Sequence, residues 1–102
     1  MNKILTEHIE EIKKLCIMYK VNSLYAFGSV NTINFTDKSD IDFLISFDKS
    51  ISIEEYSENY FLLHYQLKSL FKREIDLLTE NSLSNPFFIK GIEQTKQLLY
   101  GT

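Results

Sequence analysis

Ser39-Asp40-Ile41-Asp42-Phe43-Leu44-Ile45-Ser46-Phe47 is the stretch whose reading decides the fold. Ile41, Phe43, Ile45 and Phe47 are strongly apolar, while the interleaved Asp42, Leu44 and Ser46 are mixed. Alternation with a period of two is the mark of a β-strand, and a second face that keeps a leucine predicts a strand covered on both sides. Asp48-Lys49-Ser50 closes it. Two acids, Asp40 and Asp42, stand at its entry. Residues two apart in a strand project to one face, with Cα atoms about 6.6 Å apart at ~3.3 Å rise per residue.

Upstream, Ile4, Leu5, Ile9, Ile12, Leu15, Cys16 and Tyr19 recur at three- and four-residue steps with charges between them. That spacing predicts one amphipathic helix over residues 3–20, ended by Asn22-Ser23. Leu24-Tyr25-Ala26-Phe27 reads as a short buried strand, punctuated by Gly28-Ser29. Residues 30–39 are rich in Asn, Thr, Asp and Lys, and read as a turn or short helix followed by a loop.

Downstream, Tyr56, Tyr60, Leu63, Leu67, Leu70 and Phe71 predict a long helix over 54–72, with Ser52 as its N-cap. Residues 73–79, centred on Ile75-Asp76-Leu77-Leu78, predict a third strand. Asn85-Pro86 opens a last helix, since proline suits a first turn. Phe87, Phe88, Ile92, Leu98, Leu99 and Tyr100 give that helix an apolar side, and Gly101 stops it. The expected fold is α/β in the α+β sense: a small mixed three-stranded sheet flanked by helices, with no internal repeat.

A chain of 102 residues is expected to form one domain, residues 1–102, with little material beyond one core and no second substrate-binding domain. The formal charge is −3. No run of Lys or Arg exceeds two residues, so the basic stripe needed for sequence-independent nucleic-acid binding is missing. An acidic excess is compatible with a divalent-metal site and equally with a solvated acidic surface. Cys16 is the only cysteine and sits at helical spacing among apolar residues, which points to a buried thiol. With no signal-type segment and no apolar run near ~18 residues, the expectation is a cytoplasmic protein with no membrane span.

Three features carry chemistry. Gly28-Ser29 follows a strand, where glycine lets the backbone turn sharply and the next amides and the Ser29 hydroxyl can meet phosphate oxygens. Asp40 and Asp42 can converge on one or two cations, and magnesium needs only two or three carboxylates because waters and phosphates complete its shell. Asp76 lies in a buried apolar run, where a charge costs several kcal/mol unless it is paired or metal-bound. Arg73 or a lysine is the alternative partner, and Glu74 is a weaker ligand candidate at the strand start.

Together, Phe27-Gly28-Ser29, Ser39-Asp40-Ile41-Asp42-Phe43-Leu44-Ile45 and Ile75-Asp76-Leu77-Leu78 resemble the nucleotidyltransferase domains of the DNA polymerase beta superfamily. The likeness is to the minimal, stand-alone members, and the tail from Asn85 to Gly101 shares it. It implies a polymerase-beta-type fold that moves a nucleoside monophosphate, AMP, from a magnesium-bound triphosphate, ATP, to a hydroxyl. Asp40 and Asp42 would hold the triphosphate's magnesium, and Asp40, Asp42 and Asp76 a second ion. Asp76 or that ion would take the acceptor's proton, while Gly28 and Ser29 hold the β- and γ-phosphates. Small members are often antitoxins that modify a tyrosine on a helical HEPN-type toxin, which makes such a toxin the expected partner and leaves room for an oligomer. The rival readings are transfer to a small molecule of the aminoglycoside kind, or a binding module that neutralises a partner by contact. Many members follow the Gly-Ser pair with Arg and, a few residues on, another Gly; this chain has Val30-Asn31-Thr32-Ile33-Asn34. Either Lys38, Lys72 or Arg73 then replaces that cation, or phosphate binding is weaker.

Overall fold

Four strands form the sheet, not the three expected, in the order β3-β2-β1-β4. The computed structural model describes residues 1–101, and places them as α1 (Lys3–Thr6), α2 (Ile9–Met18), β1 (Val21–Phe27), β2 (Ile41–Phe47), α3 (Ile53–Phe71), β3 (Ile75–Thr79), α4 (Pro86–Thr95) and β4 (Gln97–Tyr100). Short 3-10 turns follow β1 (Gly28–Asn31) and β3 (Glu80–Ser82). β1 runs antiparallel to both β2 and β4, and β2 runs parallel to β3 across the α3 crossover.

The added strand comes from the segment expected to end the last helix. α4 opens as its sequence dictates: the Asn85 side chain accepts from the Phe87 and Phe88 amides, and Pro86 fills the first turn. At Lys96, however, the backbone turns extended (φ −67°, ψ 143°), and Leu98 and Tyr100 pair with Tyr25 and Leu24. Leu98-Leu99-Tyr100 suits a helix as well as a strand, and the open edge of β1 selects the strand by offering ladder hydrogen bonds.

Three further boundaries differ. β3 starts at Ile75 and not at Arg73, whose side chain bonds the Thr36 and Ser39 carbonyls instead. The first helix is broken at Glu7–His8, where His8 leaves helical geometry (φ −115°, ψ 12°), so α1 and α2 are separate. β1 begins three residues early, at Val21, because Lys20 takes a left-handed conformation (φ 60°) and turns the chain there. Ser23 is thereby buried inside the sheet, where its hydroxyl meets that of Ser46 at 2.6 Å. α3 agrees with expectation to a residue at each end, capped by Ser52, whose hydroxyl accepts from the Glu55 amide at 3.1 Å.

The main core joins Leu5, Ile12, Cys16, Leu63 and Leu67 to Leu24, Ile41, Phe43 and Ile45. The odd-numbered apolar residues of β2 therefore face α2 and α3, as their alternation requires. A smaller cluster of Phe27, Leu44 and Ile92 puts α4 on the other face, the one toward which Asp42 projects. Cys16 is fully buried and its thiol is pushed up to about 12 by desolvation, which makes it a packing residue. No helix among the described residues is long and apolar enough to cross a membrane.

Candidate active site

Strand register brings the three acids together. Asp42 lies opposite Asp76 in the β2–β3 ladder and opposite Phe27 in the β1–β2 ladder. Adjacent strands are about 4.8 Å apart, so the Asp42 and Asp76 side chains stand side by side on one face. Asp40 joins them from the segment entering β2, two residues before Asp42. Asp40 and Asp76 are exposed and Asp42 is partly buried.

Their electrostatics follow from that crowding. Asp42 is raised from 3.8 to about 6, first by burial, then by the charges of Asp76 and Asp40 and by a hydrogen bond with Asp76. No Lys or Arg forms an ion pair with any of the three among the described residues. Lys68 is taken by Glu74 at 3.0 Å, which leaves Glu74 outside the group. Arg73 bonds backbone carbonyls instead: its Nη1 donates to the Thr36 and Ser39 oxygens at 3.2 and 2.9 Å. The argument from desolvation of Asp76 does not hold, because Ile75 and Leu77 are buried while the Asp76 side chain points outward. What marks Asp76 is its place beside Asp42.

Gly28 is fitted to this cluster more closely than its sequence context indicates. Its φ is +74°, and a Cβ there would lie 2.6 Å from Asp42 Oδ2. The glycine therefore clears space for the carboxylate itself. The Gly28 amide is already engaged, donating to Thr95 Oγ1 at 2.9 Å, so it is not free for a phosphate. The Ser29 amide and hydroxyl donate to nothing among the described residues.

Asn31 and Thr95 are participants that the sequence reading missed. Asn31 Nδ2 donates to Ala26 O at 3.0 Å and to Thr95 O at 2.7 Å, which ties the Gly28–Asn31 turn to the end of α4. The contacts of Gly28 and Asn31 with Thr95 span more than sixty residues and have no local pattern to announce them. Val30, where many members of the resembled family carry Arg, is turned into the core at 1% exposure.

The donor set suits magnesium: hard carboxylate oxygens on a solvent-open face, with room for waters and phosphate oxygens. Among the described residues, no three His, Cys, Asp or Glu side chains stand arranged as a ready metal-holding group. Asp40, Asp42 and Asp76 are near enough for their charges to act on one another, and gathering them on an ion would take a rearrangement of their side chains.

A four-stranded mixed sheet with three uncompensated acids beside a glycine turn defines a nucleotidyl-transferring class of domain. The chain belongs to the polymerase beta nucleotidyltransferase family, whose model matches residues 10–102. Two relatives from Methanocaldococcus jannaschii are 37% and 34% identical over 94 residues, covering 92% of this chain and 89% of their own lengths. The name both carry, protein adenylyltransferase, is itself an inferred one. Among solved structures, a minimal nucleotidyltransferase superposes with a TM-score of 0.71 at 21% identity, covering 95% of both chains. A toxin–antitoxin complex with AMP-PNP superposes at 0.69 and 24% identity, over 92% of this chain and 73% of that one. A Shewanella oneidensis complex of a tri-AMPylated HEPN toxin with its MNT antitoxin gives 0.64 at 22% identity, over 95% and 72%. At these identities the structures establish the shared fold.

Proposed function

We propose that this chain transfers AMP from magnesium-bound ATP to a hydroxyl on a partner protein, in the manner of an antitoxin that silences a helical HEPN-type toxin by modifying a tyrosine. The observation that carries the proposal is the set Asp40, Asp42 and Asp76, brought to one end of two adjacent strands and compensated by no cation. Asp40 and Asp42 would hold one magnesium ion, and all three acids a second. Magnesium bound there supplies charge neutralisation at the triphosphate, a lowered pKa for the acceptor hydroxyl, and stabilisation of the entering and leaving oxygens.

The chain's own residues do the rest. Gly28 keeps the space beside Asp42 Oδ2 clear, so that the carboxylate can turn toward the face where the triphosphate docks. The Ser29 amide and hydroxyl are placed to donate to a phosphate oxygen. Asp76, or the second ion alone, would take the proton of the attacking hydroxyl. Asn31 and Thr95 hold the glycine turn against α4, which fixes the donor cradle before substrate arrives.

The test is incubation of the chain with ATP, magnesium and a HEPN-type candidate partner, sought first among the products of neighbouring genes, followed by intact-mass measurement. The expected result is a mass gain of one or more AMP on the partner, lost with Asp42→Asn and with a partner lacking its acceptor tyrosine. One observation favours a second reading: with Val30 buried where many members of the resembled family carry Arg, the chain would neutralise its partner by contact alone. Inhibition of the partner with no mass gain, unchanged in Asp42→Asn, would establish that reading instead.

A further inference from the structure

We propose that Arg73 is a positioning residue that locks the loop bearing Asp40 to the strand bearing Asp76. The inference rests on the reading of Asp40, Asp42 and Asp76 as the metal-holding set.

Arg73 lies in the link between α3 and β3, just ahead of Asp76. Its Nη1 reaches across to the Thr36–Ser39 turn and donates to both ends, Thr36 O at 3.2 Å and Ser39 O at 2.9 Å. Its guanidinium carbon lies 4.7 Å from the centroid of the Phe35 ring, so the turn is gripped through a stack as well as through hydrogen bonds. The turn is a closed unit: the Ser39 amide donates to Thr36 O at 3.1 Å and the Thr36 amide to Ser39 Oγ at 2.9 Å. Beyond Asp40, the Ile41 amide donates to Glu74 O at 3.2 Å. The Asp40 backbone is thus anchored before and after by two consecutive residues, Arg73 and Glu74, in the link that leads directly into the strand presenting Asp76.

This geometry accounts for an arginine rather than a lysine. One nitrogen, Nη1, meets both carbonyls while the planar guanidinium lies over the Phe35 ring, and an ammonium, though it has three donors, has no plane to lay on that ring. It also separates Arg73 from the phosphate-binding cation missing at Val30, because its bonded nitrogen points at the loop backbone. Without the clamp, the Asp40 loop is left with exposed hydrogen bonds of its own, and its carboxylate loses a fixed place relative to Asp76.

The experiment uses the 102-residue chain with Arg73→Ala, Arg73→Lys and Phe35→Leu, the last leaving every charge in place. Amide hydrogen exchange at Ser39 and Ile41 is followed without metal, and magnesium affinity is measured by calorimetry with AMP-PNP present. All three variants should exchange faster at these two amides, with the α3 amides unchanged. Loss of outer support for a metal ligand typically lowers affinity roughly 10- to 100-fold, and the Arg73→Ala and Arg73→Lys chains should fall in that range. Wild-type exchange and affinity in Arg73→Ala would overturn the proposal. So would full rescue by lysine, which would make Arg73 a phosphate-binding charge. If the wild-type chain binds no magnesium, the metal reading fails, while exchange in the metal-free chain still decides the clamp.

Discussion

Asp42 is the residue at which fold and chemistry pull in opposite directions. Its carboxyl is raised from 3.8 to about 6 by burial and by its acidic neighbours, so between those values the folded chain keeps a proton that the unfolded chain has shed. The stability contributed by that proton is fully present below about pH 4 and is lost as the pH rises through 6. A shift of this size in a partly exposed group, discounted for solvent screening, is worth on the order of 1–2 kcal/mol. Asp42→Asn removes the charge but keeps a donor for Asp76. Without metal, the variant should match wild type near pH 4 and become more stable by about that amount at pH 7. Urea unfolding in EDTA across pH 4–7 measures the difference, and parallel stability profiles would refute the account. Magnesium should reverse the ranking, since the wild-type carboxylate gains a counter-ion that asparagine cannot hold. Gly28 belongs to the same balance, because at φ +74° with only 2.6 Å from a built Cβ to Asp42 Oδ2 no larger residue leaves the carboxylate in place.

At the scale of elements, β3 is an edge strand that must present Asp76 without a neighbour on its outer side. The Ile41 amide bonds Glu74 O, so by alternation the Ile75 and Leu77 carbonyls point away from β2. α3 closes both: His64 Nε2 donates to Ile75 O at 2.8 Å and the Tyr60 hydroxyl to Leu77 O at 2.6 Å. The two rings lie nearly parallel, 3° apart, one helical turn from each other. Residues on either side of Asp76 are therefore held, and the edge is closed to strand addition. Tyr60→Phe deletes one hydroxyl and should cost about 1 kcal/mol, read as a lower urea midpoint with an unchanged slope. An unchanged midpoint would show that the bond contributes nothing. These contacts also mark the limit of legibility. β2, α3 and the start of α4 were readable because their periods and caps are local: Ser52, Asn85 and the Ile41–Phe47 alternation each act within a few residues. The nearness of Asp40, Asp42 and Asp76 was legible too, because their spacing around the strands is local to each strand. β4 was not, since three apolar residues after Thr95 become a strand only against an edge of β1 more than seventy positions away. Asn31 and Thr95 escaped for the same reason, and Arg73, read as a partner for Asp76 or as a phosphate cation, turned instead to a loop 34 residues off.

On the scale of the whole molecule, the acids lie on an open face rather than in a cleft. A depression of about 290 Å³, lined by Ile45, Phe47, Tyr56 and Asn81 among others, sits at the far ends of β2 and β3, away from Asp40, Asp42 and Asp76. On the proposed function, such a face would meet a triphosphate through magnesium at the acids and through Ser29, yet it offers little to grip an acceptor. Holding two reactants in line can supply ~7–11 kcal/mol of a barrier, and that part must then come from the acceptor's own surface. Exposed aromatics are available to meet such a surface: Phe61, Tyr65 and Phe87 are 67%, 62% and 85% exposed, on α3 and at the start of α4. The purified 102-residue chain should therefore bind magnesium and ATP without turning over. At about one hundred times the dissociation constant, bound nucleotide stabilises the fold by ~2.7 kcal/mol, which a thermal melt detects readily. Pyrophosphate release with simple alcohols or an aminoglycoside should stay at background, and, on the proposed function, rise when a HEPN-type protein carrying a suitable tyrosine is added. Fast, partner-free modification of an aminoglycoside would show that the acceptor is gripped by this chain itself, and would move the small-molecule reading to first place. A melt unmoved by magnesium and ATP would strike earlier, at the donor cradle, and leave contact with the partner as the chain's means of action.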